Sequence, residues 1–91
     1  MEESIKKALS ELARFKLPWQ EMIRIQLEYC LEVILEKSSP DRLEELNMGL
    51  IAVREIDERE VLYSLLTEIQ YKMQRKYFPY AAKVRLNIQR R

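Results

Sequence analysis

No histidine occurs among the 91 residues, glycine and cysteine occur once each, and proline three times. Each scarcity excludes something. Without an imidazole, Ser10, Ser38, Ser39, Ser64 and Thr67 have no such base to activate them, and Cys30 has no Cys/His partner for catalysis or zinc. A lone cysteine closes no intramolecular disulfide, so Cys30 reads as a small core hydrophobe. Hairpins need turn residues every few positions, which one glycine and three prolines do not supply, so the class is all-α. No glycine-rich phosphate loop is present. Nor is there an apolar run of about 20 residues to span a bilayer, and the opening MEESIKK lacks the apolar stretch of a signal sequence. The expectation is a cytoplasmic protein with no membrane, cofactor or metal. The carboxylate pairs Glu44/Glu45 and Glu58/Glu60 fall on solvated faces or caps rather than in an acid–base site, so an enzyme is not expected.

What the chain does have is amphipathic helix. Its length suits one domain, residues 1–91, with a single modest core. A first helix over about 4–16 carries Ile5, Ala8, Leu9, Leu12 and Phe15 on one stripe. Pro18 ends it and opens a second, about 18–37, whose apolar residues cover more than half its circumference and predict the central position in the bundle. Ser39, Pro40 and Asp41 mark the next start, with Ser39 as N-cap and Pro40 in the first turn. Asp57 with Glu60 resembles a capping box and begins a fourth helix, about 58–76, with Val61, Leu62, Leu65, Leu66, Ile69 and Met73 inward. The result is a compact bundle of four main helices with a basic C-terminal tail, 77–91. Leu27, Ile34, Leu46, Leu50, Leu65 and Ile69 are its expected shared core.

The third helix, about 40–54, is the unusual one. On a continuous wheel Leu43, Leu46, Gly49, Leu50 and Val53 form an inward face, while Met48, Ile51 and Ala52 fall opposite among Glu44, Glu45 and Glu55. Glutamates are rarely buried unpaired, so this second apolar face is expected to be free for a partner. It could also pair with its own copy in a homodimer. Gly49 costs about 1 kcal/mol relative to alanine inside a helix, and close approach of the second helix is the expected compensation.

Charge is divided along the chain. Residues 1–68 carry nine basic against fifteen acidic side chains, whereas Lys72, Arg75, Lys76, Lys83, Arg85, Arg90 and Arg91 are unopposed from Ile69 onward. With Tyr77, Phe78 and Tyr80 interleaved, that tail offers phosphate neutralisation and stacking, so a nucleic-acid-binding protein is the alternative function. The same residues also fit a tail packed by its aromatics with its charges solvated. Residues 81–88 fit a short helix or a strand equally well.

The run Leu46–Glu58, LNMGLIAVREIDE, carries a resemblance. A leucine, two further residues and glycine (Leu46 to Gly49), then Ile51-Ala52-Val53, Arg54, Glu55, Ile56 and Asp57-Glu58, resembles the small immunity proteins of the type VI secretion system that neutralise an NAD(P)-glycohydrolase effector. The similarity extends more loosely over residues 18–71. It implies an intracellular inhibitor that binds the toxin domain of a cognate effector and occludes its active site. On that basis Glu44, Met48, Ile51, Glu55, Asp57 and Glu58 are the expected toxin-binding residues, their acidic charge suited to a pocket built for an anionic dinucleotide.

Overall fold

The computed structural model describes residues 1–16 and 18–77. Four α-helices, α1 (Glu2–Leu12), α2 (Gln20–Ile34), α3 (Met48–Glu55) and α4 (Val61–Lys76), are joined through one 3₁₀ turn, Pro40–Glu45. All four bury one stripe in a common core that includes Ile5, Leu12, Ile23, Leu27, Cys30, Met48, Leu62, Leu66, Ile69 and Met73. The inward stripes of α1 and α4 are those that the 3.6-residue period selects, except that Val61 is exposed at the start of α4 and Leu65 only half-buried.

Packing places α4 at the centre, against α1, α3 and the 3₁₀ turn, while α2 packs on α1 and, less extensively, on α3. The broad apolar circumference of α2 therefore marks surface rather than centrality. Met22 and Ile25 remain exposed on it, as does Leu35 just past its end.

Helix ends differ from the sequence expectation for local reasons. Beyond Leu12 the chain tightens into i→i+3 bonds, Arg14 and Phe15 amides to the Glu11 and Leu12 carbonyls, and the Gln20 side chain donates to the Leu12 carbonyl at 3.0 Å. Phe15 then meets Trp19, ring centroids 6.0 Å apart, in the corner before α2. At the far end of α2, Glu36 takes a left-handed conformation, φ 61°. Its amide bonds to the Val33 carbonyl and that of Lys37 to Glu32, the paired bonds of a Schellman cap with glutamate where glycine is usual. Ser39 stands ahead of Pro40 with extended backbone but without a side-chain cap bond. Its carbonyl instead accepts the Tyr29 hydroxyl, which in turn accepts the Arg42 amide, so one tyrosine of α2 holds the 3₁₀ turn from both sides. Asp57 does not cap α4, whose N-cap is Glu60. Its carboxylate accepts the Arg59 amide at 2.8 Å and grips the Arg59 guanidinium, closing a local turn before the helix starts.

The largest departure is in the third helix. Leu46 is extended, φ −62° and ψ 131°, so the expected continuous helix 40–54 is instead a 3₁₀ turn, a two-residue break and a short helix. The break resets the helical phase. Met48 and Ala52 are fully buried, Ile51 is half-buried against the core, and Leu50 and Val53, expected inside, are 56% and 57% exposed. Of the six expected core residues, Leu27, Leu46 and Ile69 are buried, Ile34 and Leu65 half-buried, and Leu50 is outside.

Candidate docking surface

Three glutamines fix where α3 begins and how it is rotated. Gln26 of α2 offers its side-chain oxygen to the amides of Asn47 and Met48, 2.9 Å each, and its nitrogen donates to the Asn47 side chain. Gln70 of α4 accepts the Gly49 amide at 2.7 Å. Gln74, one turn further along α4, donates to the Leu43 carbonyl at 3.0 Å, at the end of the 3₁₀ turn. The opening amides of a helix have no intrahelical partner, and here side chains from neighbouring helices supply it. Gly49 accordingly lies against α4 and not α2: a Cβ built on it would stand 3.1 Å from the Gln70 side-chain oxygen, too close unless that side chain moved. The absent side chain admits a hydrogen bond rather than a helix backbone.

This rotation redistributes the expected toxin-binding residues. Met48 is core and cannot reach a partner, because the Gln26 and Gln70 bonds turn it inward. Ile51 shows only an edge. Glu55, Asp57 and Glu58 are exposed and gathered by chain continuity at the corner between α3 and α4, whereas Glu44, also exposed, lies on the 3₁₀ turn that precedes the opposite end of α3. Arg59 holds the Asp57 carboxyl below its ordinary value, chiefly through its side-chain hydrogen bonds and then its backbone amide. Asp57 is thus ionised but already paired. Glu55 and Glu58 make no ion pair among the described residues.

What faces outward instead is a seam along α3 and α4. Gly49, Leu50 and Val53 from α3, with Thr67, Gln70, Tyr71 and Gln74 from α4, line an open groove of about 270 Å³. Tyr71 is 60% exposed. The Arg75 guanidinium carbon lies 5.8 Å from its ring centroid, and the guanidinium donates to its hydroxyl at 2.6 Å. Arg54, one turn after Leu50, is exposed and unpaired among the described residues. Sequence reasoning missed Leu50 and Val53 because a wheel drawn through Leu46 assigns them to the core. The available signal was Asn47, a residue suited to helix starts, directly before the short apolar run.

Cys30 is buried, and burial pushes its thiol up to about 12, which leaves it an inert packing group. Tyr77 packs half-buried on the core with Lys76 5.6 Å from its ring centroid. The rest of the basic tail, including Phe78 and Tyr80, lies outside the described residues. Among those residues no helix is long and apolar enough to cross a membrane.

The described residues thus present an exposed apolar seam along α3 and α4 and an acidic corner beyond the end of α3. No curated protein and no solved structure matches the chain significantly. The Tsi6 family profile matches residues 2–75, all four helices but for the last residue of α4. The chain therefore belongs to the Tsi6 family, type VI secretion immunity protein 6, whose members are non-enzymatic and inhibit a cognate effector.

Proposed function

We propose that this protein acts in the cytosol as a stoichiometric inhibitor of a toxin domain that hydrolyses NAD(P)⁺, and that it works by covering the toxin's active site. Family membership supports the class of role. The observation that carries the finer reading is the acidic corner at the end of α3. Glu55 and Glu58 are exposed and without an ion pair among the described residues, beside Asp57 and within reach of the outward ridge of the same helix. A site that binds an anionic dinucleotide presents positive charge. Carboxylates on a covering protein meet that charge, steer association and displace the substrate.

Cells producing the toxin domain of the cognate effector provide the test. With this protein co-expressed they should retain NAD(P)⁺ and grow, and without it they should lose both. Reversing both Glu55 and Glu58 to lysine should slow complex formation, with a penalty that shrinks as salt rises. Growth arrest by the unopposed toxin with NAD(P)⁺ pools intact would show that the toxin has a different substrate.

A further inference from the structure

We propose that the α3–α4 groove bounded by Leu50, Val53 and Tyr71 receives an apolar side chain of the effector's toxin domain, with a carboxylate beside it that meets Arg54. The inference rests on the inhibitor reading above and adds the contact surface and the chemistry of what docks there.

Three of the large exposed apolar side chains of the described residues, Leu50, Val53 and Tyr71, line this one groove. Two glutamines among its lining are tied internally, Gln70 through its oxygen to the Gly49 amide and Gln74 through its nitrogen to the Leu43 carbonyl. An entering side chain therefore meets apolar walls over glutamines that each keep one internal hydrogen bond when water leaves. The walls are preorganised too, because Arg75 holds Tyr71 through its hydroxyl and over its ring. Groups of this kind, an aromatic and two aliphatic side chains on rigid helices, make the desolvated centre of an interface.

Charge selects the occupant. Arg54 follows Leu50 by one helical turn and has no carboxylate partner among the described residues, and Arg75 borders the other wall. Glu68, the acidic residue of α4, is 3.9 Å from Lys72. The two guanidiniums, Arg54 one turn beyond Leu50 and Arg75 against Tyr71, favour an apolar residue with an acidic neighbour at this end of the ridge, while Glu55 and Glu58 lie at the corner beyond it. A second apolar groove, between α2 and the 3₁₀ turn, has Met22 and Ile25 in its lining. Its charges are spent internally, Arg42 on Glu45 and nearby Arg24 on Glu21 and Glu28, so it selects no partner.

Full-length protein titrated against the toxin domain of the cognate effector, with dissociation followed by interferometry, tests the proposal. Leu50→Lys and Val53→Lys should each weaken binding by about 30-fold or more, mainly through faster dissociation, with helical signal and melting temperature unchanged. Leu50→Ser serves where a lysine perturbs folding. Arg54→Glu should slow association several-fold at low salt, and the difference should close as salt rises. Wild-type affinity in the folded Leu50 and Val53 variants would overturn the groove while leaving the inhibitor reading intact. Absence of any binding by the wild-type protein would instead overturn the inhibitor reading and the groove with it. A wild-type dimer that the Val53 variant dissociates, with toxin affinity unchanged, would assign the groove to a second copy of this chain and refute the proposal.

Discussion

Truncating Met48 and truncating Leu50 to alanine should have very unequal consequences for stability, because the two lie on opposite sides of α3. Met48 is fully buried at the point where α3 meets the core, whereas Leu50 is 56% exposed. Removing a buried methionine side chain forfeits its transfer free energy and leaves a cavity, together about 2–5 kcal/mol. In a domain this small each kcal/mol moves the melting temperature by about 4–8 °C, so Met48→Ala should melt at least about 8 °C below wild type. Total stability in domains of this kind is about 5–15 kcal/mol, so the variant could approach the limit of folding. Leu50→Ala deletes a mostly solvated side chain and gains helix propensity, so its change should stay within about 0.5 kcal/mol. Thermal melts followed by circular dichroism, with urea titration to check that the m-value is unchanged, provide the comparison. A Leu50 variant as damaged as the Met48 variant would mean that α3 is rotated as the uninterrupted wheel has it, and the seam described above would not exist.

The glutamine caps make a related prediction: Gln70→Ala leaves the buried Gly49 amide without its acceptor and should cost about 1–3 kcal/mol in urea titration, while an unchanged midpoint would show that water replaces the side chain without penalty. Glu36→Gly should raise stability by up to about 1 kcal/mol, since glycine holds the left-handed conformation without the steric cost of a Cβ, and a loss of stability would mean that the glutamate side chain contributes to the cap. The Cys30 thiol, raised from 9.0 to about 12 by burial, is protonated in the folded state where the unfolded thiol would ionise. Its contribution is therefore complete below pH 9 and declines as pH rises from 9 towards 12. Cys30→Ala should flatten that decline, and native Cys30 should react with a thiol reagent at pH 8 only at the rate of opening.

Helices that keep one phase from end to end were legible from periodicity. In α1, Ile5, Ala8 and Leu12 repeat at three and four residues and are buried as the spacing requires, and Leu62, Leu66, Ile69 and Met73 do the same in α4. The third segment was not legible, because what breaks it is not local. Gln26 and Gln70, each at least 21 residues from the amide it holds, stop the 3₁₀ turn and start α3 afresh. On a wheel both look like ordinary polar residues of a solvated strip, and only the packed structure gives them partners. One extended residue, Leu46, then exchanges the inner and outer faces of α3. The candidate site followed that error residue by residue: Met48 moved inward, Leu50 and Val53 moved outward, and Glu55, Asp57 and Glu58 stayed exposed because they lie at or beyond the helix end. A similar gap in pattern reading made α2 look central, since an apolar residue such as Ile25 has the same signature whether it faces a core or solvent.

Hydrolysis of NAD(P)⁺ by the isolated toxin domain of the cognate effector, measured while this protein is titrated in, tests the central claim most directly. Stoichiometric covering of the active site predicts a rate that falls linearly and reaches zero near equimolar protein, with no change on adding further NAD(P)⁺ over the lifetime of the complex. A toxin domain that leaves NAD(P)⁺ intact, or one that continues to hydrolyse it in the presence of a severalfold excess of this protein, would contradict it.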